Sequence, residues 1–232
     1  MKKPGLIGGV GPESSIEYYR LIIKRFQEKL DTKDYPELVI NSINMTEMLG
    51  YVFTNKLDRL TDFLSERIKI LESAGVDFAA IASNTPHIVF DKLAERVKIP
   101  LISIVEETCK VIKIKKIKRV GLFGTKSTMT SGFYKRVAEV FGIEIIVPKP
   151  IQLDYIHDKY MGELIYNRIL SETRQGLVKI VKDLKKNESI QGLILGGTEL
   201  PLILCQTDFS DIEIFDTTQI HVESIVAKMT ED

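Results

Sequence analysis

The apolar run Asp77–Ala82 stops in Ser83-Asn84-Thr85, and Pro86 and His87 follow. These residues could do chemistry. His87 stands four residues after Ser83, so a helix that starts early brings the two onto one face. A histidine beside a hydroxyl can act as a base. Plainer roles stand next to this one: Thr85 capping the following helix, Asn84 satisfying local backbone, and His87 packing or capping near the helix start. A second apolar run ends in Gly196-Gly197-Thr198-Glu199. Two more loops, Gly8–Ser15 and Thr125–Ser131, are also rich in glycine, serine and threonine. Backbone N–H groups at helix starts, with small hydroxyls, suit an anion. A small carboxylate is the expected ligand.

The elements that would position these loops alternate between strand-like and helix-like patterns. "PGLIGGV", "ELVINSI", "VDFAAIA" and "PLISIV" predict four strands. Leu57, Leu60, Leu64, Ile68 and Leu71 form a helical stripe, and Gly75 falls where a C-terminal cap belongs. Ser14-Ser15-Ile16-Glu17 has the spacing of a capping box ahead of another stripe. The pattern then restarts: "RVGLFG", "IEIIVP", "GLILGG" and "IEIFD" predict strands, Ile151 to Lys186 is mostly helical, and "TQIHVESIVAKM" predicts a closing helix. Strands alternating with helices predict parallel α/β architecture.

The restart reads as a repeat. "GLIGGVGPESSIEYYRL" lies on "GLFGTKSTMTSGFYKRV" without gaps, placing Gly8 on Gly124, an offset of 116. "FAAIASNT" lies on "GLILGGTE", placing Ser83 opposite Gly197, an offset of 114. Chance likeness between two ordinary strand–loop–helix units is the alternative to duplication. The expected fold is α/β, with two pseudo-symmetric parallel-sheet lobes and an interlobe cleft. The expected lobes are residues 1–104 with 212–232, and residues 105–211. Ligands of parallel sheets bind beyond the carboxyl ends of the strands, where all four loops lie.

Composition removes several function classes. Lys+Arg and Asp+Glu are both 32, so no global basic field points to nucleic acid or membrane. The basic run Lys113–Arg119 is short, lacks aromatic partners and reads as a helix end. Two cysteines fit a reducing, cytoplasmic setting, and core packing is the expected role of Cys109 and Cys205. No HxxxH or CxxC pattern suggests a metal, and no signal peptide or membrane span is expected.

The stations "GLIGGVGPESSIEYYR", "SNTPH", "GLFGTKSTMTSGFY", "GGTE" and "FDTTQIHVE" resemble, in order, those of the aspartate/glutamate racemase family, in its aspartate racemase branch. The resemblance implies a two-lobe fold whose C-terminal helix returns to the first lobe. It also implies amino-acid racemisation without pyridoxal phosphate or any other cofactor, a site between the lobes, and a homodimer. In the family two cysteines work on opposite faces of Cα, one as base and one as acid. Their stations, directly before Asn-Thr and directly before Thr-Glu, hold Ser83 and Gly197 here. Carried over residue by residue, the catalytic stations are Ser83 and Gly197, with His87 and Glu199 as candidate substitutes. The substrate-holding stations are Gly9, Asn84, Thr85, Thr125, Ser127, Thr128 and Thr198. The expectation is a small carboxylate or amino-acid ligand without standard two-cysteine racemisation. The alternative is an active racemase or isomerase with substitute acid–base residues.

Overall fold

The computed structural model describes residues 1–231. The chain divides into two compact units. One comprises Met1–Glu107 together with the C-terminal stretch from Thr218, and the other Thr108–Thr217.

The first unit holds β1 (Pro4–Gly8), β2 (Val39–Ser42), β3 (Phe78–Ile81) and the two-residue β4 (Leu101–Ile102), all parallel in the order β2-β1-β3-β4. Successive side chains of a strand point to opposite faces, and two separate cores follow from that alternation. Ile7, Ala79 and Ile81 pack with α2 (Met45–Phe53) and α3 (Leu57–Ser73). Leu6, Phe78, Ala80 and Ala82 pack with α1 (Pro12–Leu30) and with Val222, Ile225, Val226 and Met229 of the last helix. The chain's end therefore belongs to the first sheet's core. In α3, Leu60, Leu64, Ile68 and Leu71 are fully buried, as their spacing requires. The helix α4 (Phe90–Ala94) and the helix α5 (Ile104–Ile114) complete this part of the chain.

The second unit repeats the topology. β5 (Arg119–Gly124), β6 (Glu144–Ile146), β7 (Gly192–Gly196) and β8 (Glu213–Asp216) are parallel in the order β6-β5-β7-β8. β7 is buried along its whole length, as expected of a central parallel strand. Helices α6 (Lys126–Thr130), α7 (Phe133–Val140), α8 (Pro150–Gly162) and α9 (Ser171–Glu188) connect the strands, and α10 (Thr217–Met229) follows β8. The register supports the repeat: Ile7 pairs with Ile81, and Phe123 pairs with Leu195. Those pairs carry the offsets of 116 and 114 read from the sequence.

Three sequence expectations change, and one helix is new. The capping box at Ser14–Glu17 does not form, because α1 already begins at Pro12 behind Gly11. Ser14 Oγ instead donates to the Ala82 carbonyl at 2.8 Å, tying α1 to the end of β3. α2 was not foreseen; the Asn44 side chain caps it by accepting from the Thr46 and Glu47 N–H groups. The strand expected over "PLISIV" is confined to Leu101–Ile102, since Ser103 accepts from the Glu106 N–H at the start of α5. Cys205 is exposed, not packed in a core, whereas Cys109 is buried. Among the described residues no helix is long and apolar enough to cross a membrane.

Candidate functional site

In the order β2-β1-β3-β4 the chain leaves β1 for one edge and returns past it to β3. That makes the β1–β3 boundary a switch point, the kind of place at which ligands of open parallel sheets bind. Gly9 and Ser83–Thr85 flank it. The β5–β7 boundary is its counterpart, flanked by Thr125–Thr128 and by Gly197–Glu199.

In the first unit Gly9 adopts φ +79, and a Cβ there would lie 2.4 Å from the Ile43 carbonyl oxygen, so glycine is required. Its N–H donates to Ser15 Oγ at 2.8 Å. That bond fixes the entry to α1. Ser83, Asn84 and Thr85 are buried, and Thr85 opens a short 3₁₀ turn, Thr85–Val89, that Pro86 helps to start. No side-chain hydrogen bond caps that turn, so Thr85 is its first residue and not its cap.

His87 does not pair with the Ser83 hydroxyl. Its Nδ1–H donates to the Ser83 carbonyl at 2.9 Å, and its Nε2 accepts from the Ile104 N–H at 3.3 Å. One nitrogen must donate and the other accept, which fixes a neutral ring. Burial, then the nearby His221, push its pKa down to about 3, against the hydrogen bonds to Ser83 and Asn84 backbone. A ring with both nitrogens held by backbone has no lone pair for a substrate proton. Of the two readings open for His87, base or packing residue, this arrangement is that of the packing residue, tying the Ser83 turn to the start of α5. His221 is held in the same way: Nδ1 accepts from the Tyr18 hydroxyl at 2.8 Å, and Nε2–H donates to the Ile102 carbonyl at 3.1 Å. Burial takes its pKa down to about 4.

In the second unit Thr125 caps α6, its Oγ1 accepting from the Thr128 N–H at 3.1 Å and lying 3.0 Å from Thr128 Oγ1. Ser127 is half-buried beside them. Past β7, Thr198 Oγ1 donates to Glu199 Oε2 at 2.9 Å, and Tyr160 of α8 donates its phenol proton to the same oxygen. Glu199 is 3% exposed and Tyr160 7%. Burial, then the Glu199 carboxylate, push the phenol pKa well above its usual value. Gly197 lies directly beneath this ring: a Cβ built on it would meet Tyr160 Cε2 at 2.4 Å, Cζ at 2.8 Å and the phenol oxygen at 2.9 Å. Sequence reading missed Tyr160, which sits in a helical stretch with no motif of its own. Gly197 itself was the available signal, since a neighbour must fill the space of its missing side chain. Among the described residues no group of three His, Cys, Asp or Glu side chains is placed to hold a metal.

Residues 7–225 match the family model described as Asp/Glu/Hydantoin racemase. The chain belongs to this racemase family. Among solved structures, it is similar to a candidate Asp/Glu racemase from Yersinia pestis, at 31% identity and a TM-score of 0.91, with both chains fully covered. It is also similar to an aspartate racemase homologue from Pyrococcus horikoshii, at 35% identity and a TM-score of 0.87, again over both full chains. Among curated relatives, the broad specificity amino-acid racemase RacX of Bacillus subtilis is 28% identical over 145 residues, which is 61% of this chain and 63% of that protein. The match thus spans less than two thirds of that relative. This racemase-family chain carries Ser83 and Gly197 directly before Asn-Thr and Thr-Glu.

Proposed function

We propose that this racemase-family protein binds a small carboxylate or amino acid at the loops beyond the carboxyl ends of its parallel strands, those that follow β1 and β3 and those that follow β5 and β7. In this reading Ser83 and Gly197 stand where the family carries its two cysteines, and the protein does not racemise by the two-thiol route. The observation that carries it is the matched register: both residues follow the same rung of the same sheet topology, beside a switch point, among buried hydroxyls. Thiols suit proton abstraction because their pKa of about 8.5 lies near neutrality. A serine hydroxyl without a base partner stays protonated, and glycine offers no group at all. Loss of a positioned acid or base costs roughly 10²–10⁴-fold each.

The test is a thermal-shift series with L- and D-aspartate, L- and D-glutamate, L- and D-alanine, malonate and succinate, followed by chiral chromatography of each ligand that binds. A ligand at about 100 times its Kd stabilises by roughly 2.7 kcal/mol. A rise in Tm that Thr85→Val with Thr128→Val removes is the expected result. If none of these anions moves Tm, the binding site is not there. Rapid inversion of aspartate or glutamate would refute the loss of two-base chemistry.

A further inference from the structure

The Tyr160 ring occupies the space in which a side chain at position 197 would begin, and its hydroxyl is held by a buried carboxylate two residues further on. We infer that the Tyr160 phenol, coupled to Glu199, is the proton-handling group of the second unit, delivered from α8 because residue 197 supplies none. This rests on the ligand site proposed above.

Four features carry it. The phenol oxygen lies 2.9 Å from the position a Cβ of residue 197 would take, so it reaches the place a thiol there would serve. Glycine at 197 is what that placement demands, since any Cβ would overlap the ring. Position 197 directly follows β7 at the switch point, where ligands of such sheets bind. Finally, Tyr160 and Thr198 converge on Glu199 Oε2, a buried carboxylate oxygen aligned to accept the phenol proton.

The step balances as a relay. The Cα–H bond of the bound amino acid breaks as the phenol oxygen takes its proton, and the phenol's own proton passes to Glu199 Oε2. The electron pair left on Cα spreads into the ligand carboxyl group. No tyrosinate needs to exist beforehand, which fits a phenol whose burial keeps it protonated. Return of a solvent-exchanged proton by the same path regenerates the starting configuration. With His87 held by backbone and Ser83 lacking a base, a single-sided relay exchanges the α-proton of one enantiomer and does not invert it.

The experiment follows Cα deuteration by proton NMR in D₂O, for the L and D forms of aspartate, glutamate and alanine, beside the thermal shift each produces. Expected is exchange with retention for one enantiomer of a bound amino acid. Tyr160→Phe, which keeps the ring over Gly197, should lower it at least 100-fold while the ligand-induced rise in Tm persists; Glu199→Gln should lower it likewise. Undiminished exchange in Tyr160→Phe overturns the proposal, and so does a wild-type protein that binds an amino acid without exchanging it. If no amino acid shifts Tm the relay falls, and the binding-site reading falls with it only if malonate and succinate leave Tm unmoved as well. A substrate-free arm tests the placement: Gly197→Ala should lower Tm in the wild type and lower it far less in Tyr160→Leu, which lacks the overlapping ring atoms. Equal losses in both backgrounds would show that Tyr160 does not sit over Gly197 and would also overturn the proposal.

Discussion

The aromatic ring of Tyr160 and the bare Cα of Gly197 interlock: the ring lies where the Cβ of any other residue would have to be, 2.4 Å from Tyr160 Cε2. Restoring a thiol by Gly197→Cys is therefore not a repair. Tyr160 is buried and bonded to Glu199, so it has little room to step aside. Overpacking of this kind costs roughly 1–3 kcal/mol. Denaturant titration of Gly197→Cys should give a lower midpoint at unchanged slope, and Ser83→Cys with Gly197→Cys should gain no racemase activity while Tyr160 is present. A double variant as stable as the wild type would refute the interlock.

Gly9→Ala is expected to be costly for two separate reasons. A non-glycine residue at φ +79 pays roughly 1–2 kcal/mol, and the new methyl would press on the Ile43 carbonyl and N–H, both backbone atoms that cannot rotate away. Together these predict a loss of roughly 2–4 kcal/mol, read by denaturant unfolding. Gly50→Ala is the control: nothing lies within 4 Å of a Cβ there, and it sits inside α2, where alanine is the better helix former. Gly9→Ala behaving like Gly50→Ala would contradict the close approach.

The strands were legible because buried parallel strands are continuous apolar runs, and β5 came out with the bounds its sequence suggests. The repeat was legible because strand ends are where offsets of 116 and 114 meet the ladder register. Helix starts were less so. Ser14 has the right spacing for a cap, yet its hydroxyl is claimed by Ala82, a partner 68 positions away that no local pattern encodes. His87 likewise sits at a telling distance from Ser83, but its ring answers to backbone at Ser83 and Ile104. Candidate loops were named from composition, whereas the group over Gly197 comes from another helix entirely. What the sequence conveys is which side chains are missing; what replaces them depends on packing across the fold.

The two cysteines should behave oppositely toward thiol reagents. Cys205 is exposed, with its Sγ 3.0 Å from Thr207 Oγ1, and Cys109 is fully buried in α5. Ellman's reagent should label one thiol per chain quickly in the native state and a second only on unfolding. Cys205→Ser should remove the fast phase and leave stability nearly unchanged, since surface substitutions usually stay within about 0.5 kcal/mol. Two fast thiols in the native protein would mean that the core around Cys109 opens readily.

The buried pair His87 and His221 should make the fold acid-sensitive well before carboxylates titrate. Both rings are neutral in the folded protein, each with one nitrogen donating and the other accepting, and their centroids lie 6.4 Å apart. Burial, chiefly, lowers the folded pKa values to about 3 for His87 and about 4 for His221. In the unfolded chain each takes up a proton near pH 6.5. The unfolded state therefore binds more protons below pH 6.5, and stability falls as the pH is lowered. The contribution is whole above pH 6.5 and is lost progressively toward about pH 4 for His221 and about pH 3 for His87. At pH 5 each ring should have cost about 2 kcal/mol relative to pH 7, and both together about 4 kcal/mol. Denaturant unfolding at pH 7.5, 6.5, 5.5 and 5.0 reads this directly. His221→Asn should be less stable at pH 7.5, because the Tyr18 and Ile102 partners are disturbed, but its stability should fall less steeply with acid. A variant as steep as the wild type would show that His221 is not held neutral, and that acid acts elsewhere.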